Sequence, residues 1–264
     1  MSRPSTGPAG PVEGQTSNPA TSPGRSRALP WTAPRGIRYP GPMNAILFDL
    51  DDTLTDRARS LRAYAERFAG DFASALRISD PTVLATVFLE ADGGGYRPKE
   101  EVAACVRAAL PWADGTAVPT VTQLVAHWRE VFPGCAQPTE GLLETLDTLD
   151  ARGFPYGVVS NGGALQRAKA EVLGLIPRLR TLVISEEVGV RKPDPRIFAL
   201  ARAALGAAAQ VWFVGDHPTN DVLGADAAGL VPVWLAGRRP WDGVPHPRRQ
   251  IVRLPELLSL LPEC

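Results

Sequence analysis

Short apolar runs punctuate the chain at Ala45–Phe48, Tyr156–Ser160, Thr181–Ser185, Val211–Val214 and Val231–Leu235. They are nearly continuous in hydrophobicity and rich in Val, Ile and Phe, the pattern of strands covered on both faces. Helical patterns lie between them. Thr139 is placed to cap a helix that carries Leu142, Leu143, Leu146 and Leu149 on one face and ends at Gly153. Asp194 followed by Pro195 marks another helix start. Alternation of this kind predicts an α/β fold, a Rossmann-like parallel sheet with helices on both sides.

One stretch breaks the rhythm. Between Leu54 and Thr139 no strand is evident, and helical patterns near 57–77, 80–91, 98–110 and 118–131 take its place. The economical description is a core formed by 43–56 and 139–264, with a small helical-bundle domain at 57–138 inserted after the first strand.

Residues 1–42 are dense in Pro, Gly, Ser and Thr, carry one acid, Glu13, and lack periodic apolar positions. Such a segment cannot bury enough surface to offset its ordering entropy, so it reads as a disordered extension. Met1 and Met43 are the chain's two methionines, and Met43 directly precedes the first strand. Either Met43 is the native start or 1–42 is a genuine flexible tail.

Composition narrows the function classes. The 28 acidic and 28 basic residues cancel, so no global field steers the chain toward nucleic acid or an anionic membrane. No apolar run approaches the roughly 20 residues needed to span a bilayer. Cys105, Cys135 and Cys264 form neither a zinc pattern nor a disulfide framework, which points to a cytoplasmic setting. The basic run Gly237-Arg238-Arg239-Pro240-Trp241 reads as a solvated loop, because no interleaved aromatics turn it into a nucleic-acid patch.

The chemistry gathers at strand ends. Asp49-Leu50-Asp51-Asp52-Thr53 follows the first strand and sets Asp49 and Asp51 on one side. Two such carboxylates about 4 Å apart repel by about 4 kcal/mol at an effective dielectric of 20, so a cation or a shared proton must offset them. Ser160, Asn161 and two glycines follow the second strand, offering a hydroxyl, an amide and backbone N–H groups to an anion. Lys192 stands in an extended segment ahead of Pro193 and supplies one compact positive charge. Gly215 and Asp216, with Asp221 beyond, follow the fourth strand, and carboxylates so placed suit Mg²⁺.

In this order the four pieces resemble the motifs of the haloacid dehalogenase superfamily, which consists mostly of phosphatases. The resemblance runs from about Met43 to the C-terminus, and the helical insertion looks like that family's cap. It implies a Mg²⁺-dependent phosphatase acting on small phosphorylated metabolites. Asp49 would be the nucleophile that becomes an acyl phosphate, and Asp51 the general acid and base. Ser160 and Asn161 would bind phosphate, Lys192 would balance the nucleophile, and Thr53 would fix the loop. Mg²⁺ would bind Asp49, the Asp51 carbonyl and Asp216, with Asp221 a partner of the metal site or of Lys192. Asp51 disfavours a haloacid substrate, since a halide leaves without a proton. A phosphosugar mutase and a non-catalytic phosphate-binding protein stand as alternatives, and the chain is expected as a monomer or homodimer. Within the insertion, Tyr96 and Arg97 beside three glycines are the candidates for contact with the leaving group, while Trp112, Trp128 and Phe132 read as its core.

If Met43 is the native start, mass spectrometry of the protein from its own cell yields no tryptic peptide ending before residue 43. Finding one establishes the tail as genuine.

Overall fold

The computed structural model describes residues 31–32, 44–206, 208, 210–241 and 247–262. A seven-stranded sheet forms the centre: β1 Trp31–Thr32, β2 Ala45–Phe48, β3 Tyr156–Ser160, β4 Thr181–Ile184, β5 Val211–Gly215, β6 Val231–Leu235 and β7 Gln250–Ile251, in the order β1-β4-β3-β2-β5-β6-β7. β2 through β7 run parallel, and β1 pairs antiparallel with β4. The Trp31–Thr32 strand differs from the expectation for 1–42, because the edge of β4 offers unpaired backbone groups that any extended segment can satisfy. The proposed start at Met43 lies outside the described residues. The two-residue strand β7 had no apolar run to announce it.

Alternate residues of the central strands feed two apolar layers. Ile46, Phe48, Val158, Leu182 and Val214 point to one face, with Leu142, Leu146 and Leu149 of α5 (Leu142–Ala151) packed on them. Ala45, Leu47, Val159, Val183 and Phe213 point to the other, against Ile197, Phe198 and Ala201 of α7 (Pro195–Leu205). Asp194 caps α7 by accepting from the Arg196 N–H.

The start of α5 corrects the sequence reading. Its N-cap is Gly141, not Thr139, and Leu143 faces solvent with 57% of its surface exposed. Gly141 adopts φ +75°, and a Cβ there would run into Pro255. That contact excludes any other residue and moves the helix start past Thr139. Leu142, Leu146 and Leu149 alone then lie along the sheet.

The insertion between β2 and β3 comprises α1 (Arg57–Asp71), α2 (Pro81–Asp92), α3 (Lys99–Ala109) and α4 (Val121–Val131). α1 is shorter than the pattern over 57–77 suggests, since the chain turns at Phe72. The four helices have an apolar centre of their own, in which Tyr64, Phe68, Phe88, Trp128 and Phe132 pack edge to face or stacked. Its two connections to the core run side by side: Asp56 N–H donates to the Gln137 carbonyl and Thr139 N–H to the Leu54 carbonyl. A single pair of adjacent strands of chain thus carries the insertion above the C-terminal ends of β2 and β3.

Phe68 is 1% exposed and touches Tyr64, Phe72 and Phe88. Phe68→Ala is expected to lower stability by about 3–5 kcal/mol in urea unfolding; a loss below about 1 kcal/mol would show that this centre does not hold the insertion together.

Candidate active site

Asp49, Ser160 and Asp216 stand at the C-terminal ends of the adjacent strands β2, β3 and β5, where ligands bind in open parallel sheets. Asp49 N–H donates to the Val214 carbonyl, which extends the β2–β5 ladder to the carboxylate itself. The chain then folds back tightly: Leu54 and Thr55 N–H both donate to the Leu50 carbonyl at 2.9 Å, with Asp52 left-handed at φ +59°. Within that turn Thr53 is fully buried and its hydroxyl lies 3.4 Å from Asp49 Oδ2.

Lys192 ties the carboxylates together. Its Nζ lies 2.5 Å from Asp49 Oδ1 and 2.7 Å from Asp221 Oδ1. Asn161 holds its backbone at both ends, accepting from Lys192 N–H at 2.8 Å and donating to the Lys192 carbonyl at 3.0 Å. The Asn161 amide is therefore engaged with Lys192 rather than presented whole to a phosphate. Gly215 explains how Asp221 comes so close, because a Cβ on it would overlap the Asp221 side chain. Asp221 also accepts from His217 N–H at 3.0 Å.

Asp216 brings a residue that sequence reasoning placed elsewhere. Arg239, read as part of a solvated loop, reaches back over the sheet and donates through Nε to Asp216 Oδ2 at 2.8 Å. Its Nη2 donates to the Gly94 carbonyl of the insertion at 3.0 Å, and its guanidinium covers the Tyr96 ring at 4.8 Å. The buried carboxylate supplies the attraction that composition alone does not reveal. Tyr96 joins the same cavity, whereas Arg97 turns away, donating to the Ala91 carbonyl at 2.5 Å to close its own loop.

Asp51 faces a second group of charges. Lys169 Nζ lies 2.7 and 2.9 Å from its two oxygens, and Gln166 Nε2 donates to it at 3.0 Å and to Ser160 Oγ at 2.7 Å. Arg57 stands 3.9 Å away and is itself gripped by Asp92 at 2.6 and 2.7 Å. The motifs do not name these four residues. One signal was available: Gln166 and Lys169 lie three apart on α6 (Ala164–Val172), among its buried positions, directly after Ser160.

The electrostatics separate the two aspartates. Burial pushes the Asp49 carboxyl up to about 7 against the pull of Lys192, with Asp221 adding to the rise. Burial and the Asp49 charge push Asp216 up to about 8. Asp51 moves the other way: burial opposes ionisation, but Lys169 and Arg57 outweigh it and hold the carboxyl well below the usual range. The Asp49, Asp216 and Asp221 oxygens lie within 4.8 Å of one another, with more negative charge than the nearby cations balance. A compact, oxygen-only donor set with excess negative charge fits a hard divalent cation such as Mg²⁺.

The model of the haloacid dehalogenase-like hydrolase family matches residues 43–229. The glyceraldehyde 3-phosphate phosphatase of Methanopyrus kandleri is 30% identical over 84% of this chain and 98% of its own length. The phosphoserine phosphatase of Thermus thermophilus is 40% identical over 40% of this chain, a match that spans less than half of that protein, 44%. In fold, the chain superposes on the HAD-hydrolase YfnB from Bacillus subtilis bound to magnesium with TM-score 0.61 at 24% identity, covering 84% of this chain and 99% of the other. With the family model spanning most of the chain and a full-length relative beside it, this protein belongs to the haloacid dehalogenase-like hydrolases.

Proposed function

We propose that this chain is a Mg²⁺-dependent phosphatase that hydrolyses small phosphomonoesters through a phospho-aspartate on Asp49. The observation that carries the reading is the placement of Asp49 against a cavity of about 80 Å³, with Lys192 held 2.5 Å from its Oδ1 and only a long 3.4 Å hydrogen bond from the Thr53 hydroxyl on its Oδ2. That space accommodates a phosphoryl group.

Asp49 attacks phosphorus while Lys192 stays charged beside it; its two carboxylate neighbours hold the ammonium well above the ordinary lysine range despite burial. The Asp49–phosphate bond forms as the ester oxygen leaves, and Asp51 lies next to the cavity to give that oxygen its proton. Water then attacks the phosphorus of the acyl phosphate, the bond from phosphorus to the Asp49 oxygen breaks to free the carboxylate and inorganic phosphate, and Asp51 takes the water's proton. In the described arrangement Asp51 is the carboxylate that this second step needs. For the first step it must turn from Lys169 and carry a proton. Ser160, with its hydroxyl at the cavity wall, offers a hydrogen bond to a phosphate oxygen. Asp49 and Asp216 would hold Mg²⁺, with Asp221 retained by Lys192 and His217 N–H; when bound, the ion neutralises charge on the transferring phosphoryl group. The helical insertion serves as the cap that excludes water. A small phosphorylated metabolite is the expected substrate.

Hydrolysis in ¹⁸O-water places one label in each phosphate released from p-nitrophenyl phosphate. Isomerised sugar phosphate without label would mark a mutase instead. Asp49→Asn is expected to fold and to lose turnover by roughly 10⁴-fold or more, and normal turnover in that variant would exclude the proposed nucleophile. EDTA is expected to stop activity, and added Mg²⁺ to restore it.

Raised carboxyls also make a stability prediction. Asp49 and Asp216 bind protons more tightly folded than unfolded, so their contribution is full below about pH 4 and is lost as pH rises through about 7 and 8. The metal-free protein is expected to melt lower at pH 8 than at pH 5, by an amount that Asp216→Asn reduces. Mg²⁺ should raise the melting temperature more at pH 8 than at pH 5. A flat profile would contradict the charge excess.

A further inference from the structure

The 80 Å³ cavity is partly open, so an ester whose phosphoryl group sits there continues beyond it. Its continuation is set by Asp51, because that carboxyl must meet the leaving oxygen. On the far side of Asp51 lies a second cavity of about 600 Å³, between the insertion and the start of α6. This direction follows from the phosphatase reading and rests on it.

The wall of the larger cavity at first suggests an aromatic platform. Trp128 and Phe132 stack with centroids 4.0 Å apart and planes 16° apart. Yet both are almost fully buried, and cations cover them. Lys99 Nζ sits 5.2 Å from the Trp128 ring centre, while Arg57 and Lys169 each sit 5.5 Å from that of Phe132. A nucleobase or sugar ring entering here meets ammonium and guanidinium groups rather than ring faces.

Those cations are unequally engaged. Arg57 is bound through two short hydrogen bonds to Asp92, and Lys169 through two to Asp51. Among the described residues the carboxylate that Lys99 meets is that of Asp92, at 3.4 Å, and Arg57 already binds it through two shorter hydrogen bonds. Burial and the Arg57 charge hold Lys99 below the ordinary lysine value, the mark of a cation short of negative partners. Arg129 stands at the rim, 3.5 Å from Glu100 across an exposed pair that contributes little. Glu186 is the acid on the opposite rim and is exposed to water.

We propose that the leaving group carries a second anionic group, a carboxylate or a phosphate, which Lys99 binds within the cavity with Arg129 at its mouth. The chain is then a phosphatase for phosphorylated acids or bisphosphates. Neutral polyol phosphates and nucleoside monophosphates are poor substrates.

Matched esters test this. 3-Phosphoglycerate is compared with glycerol 3-phosphate for the carboxylate, and fructose 1,6-bisphosphate with fructose 1-phosphate for the second phosphate; cytidine monophosphate probes the ring. The charged member of at least one pair is expected to exceed its neutral partner in kcat/KM by about tenfold or more, the worth of one charge-assisted hydrogen bond. Which pair responds identifies the anion. Lys99→Met should bring that ratio toward one, mainly by raising KM for the charged ester, and Lys99→Arg should retain much of it. Equal rates within both pairs, preference for cytidine monophosphate, or equal losses for both members in Lys99→Met would overturn the proposal. If p-nitrophenyl phosphate is still hydrolysed in those cases, the phosphatase reading survives without it. Failure to hydrolyse any ester, p-nitrophenyl phosphate included, overturns both.

Discussion

A single buried ammonium holds the site together. Lys192 is 2% exposed and stands between Asp49 and Asp221, two carboxylates that also lie within reach of Asp216. Three buried acids at the ends of neighbouring chain segments would otherwise repel one another in a medium that screens poorly. Removing one partner from such a buried set leaves charge uncompensated and typically costs about 3–5 kcal/mol. Much of the surrounding backbone serves that one contact: Asn161 clamps Lys192 at both ends, and Gly215 leaves room for Asp221. Under the proposed reading a divalent cation would relieve the like-charge repulsion that adds to burial in raising Asp49 and Asp216.

How much of this can be read from the sequence depends on whether the cause is local. The central strands are visible because burial on both faces demands unbroken apolar runs, and Asp49, Ser160, Lys192 and Asp216 are visible because each follows a run or precedes a helix. Arg239 is not: its partner Asp216 lies 23 residues away, and nothing near Arg239 signals a buried carboxylate. The N-terminus of α5 is hidden for a similar reason, because Pro255, more than a hundred residues on, decides that position 141 must be glycine. Tyr96 and Arg97 are neighbours in one loop and both could reach a ligand, yet the first enters the cavity and the second closes the loop. Which does which is settled by three left-handed glycines that set the direction of the turn.

The site contains two charge centres with different attachments. Lys192 with Asp49, Asp216 and Asp221 belongs wholly to the sheet. The second, Arg57, Lys99 and Asp92 around Asp51 and Lys169, draws most of its members from the insertion. Asp51 joins them: its backbone continues from β2, and its carboxylate is held by Lys169 beneath the insertion's Phe132. Arg239 joins them a second time from the opposite side, bridging Asp216 to the Gly94 carbonyl.

That division has a consequence for specificity. The positions proposed to bind the phosphoryl group follow directly on the strands and are fixed by sheet register. Positions around the larger cavity sit on helices anchored to their own apolar centre, so Lys99 or Arg129 can change without moving Asp49. On the proposed reading, discrimination among esters would rest on charges in the insertion, and the chemical step on charges in the sheet. Asp51 is the one group that must answer to both, which is why its carboxylate sits where the two sets of charges meet.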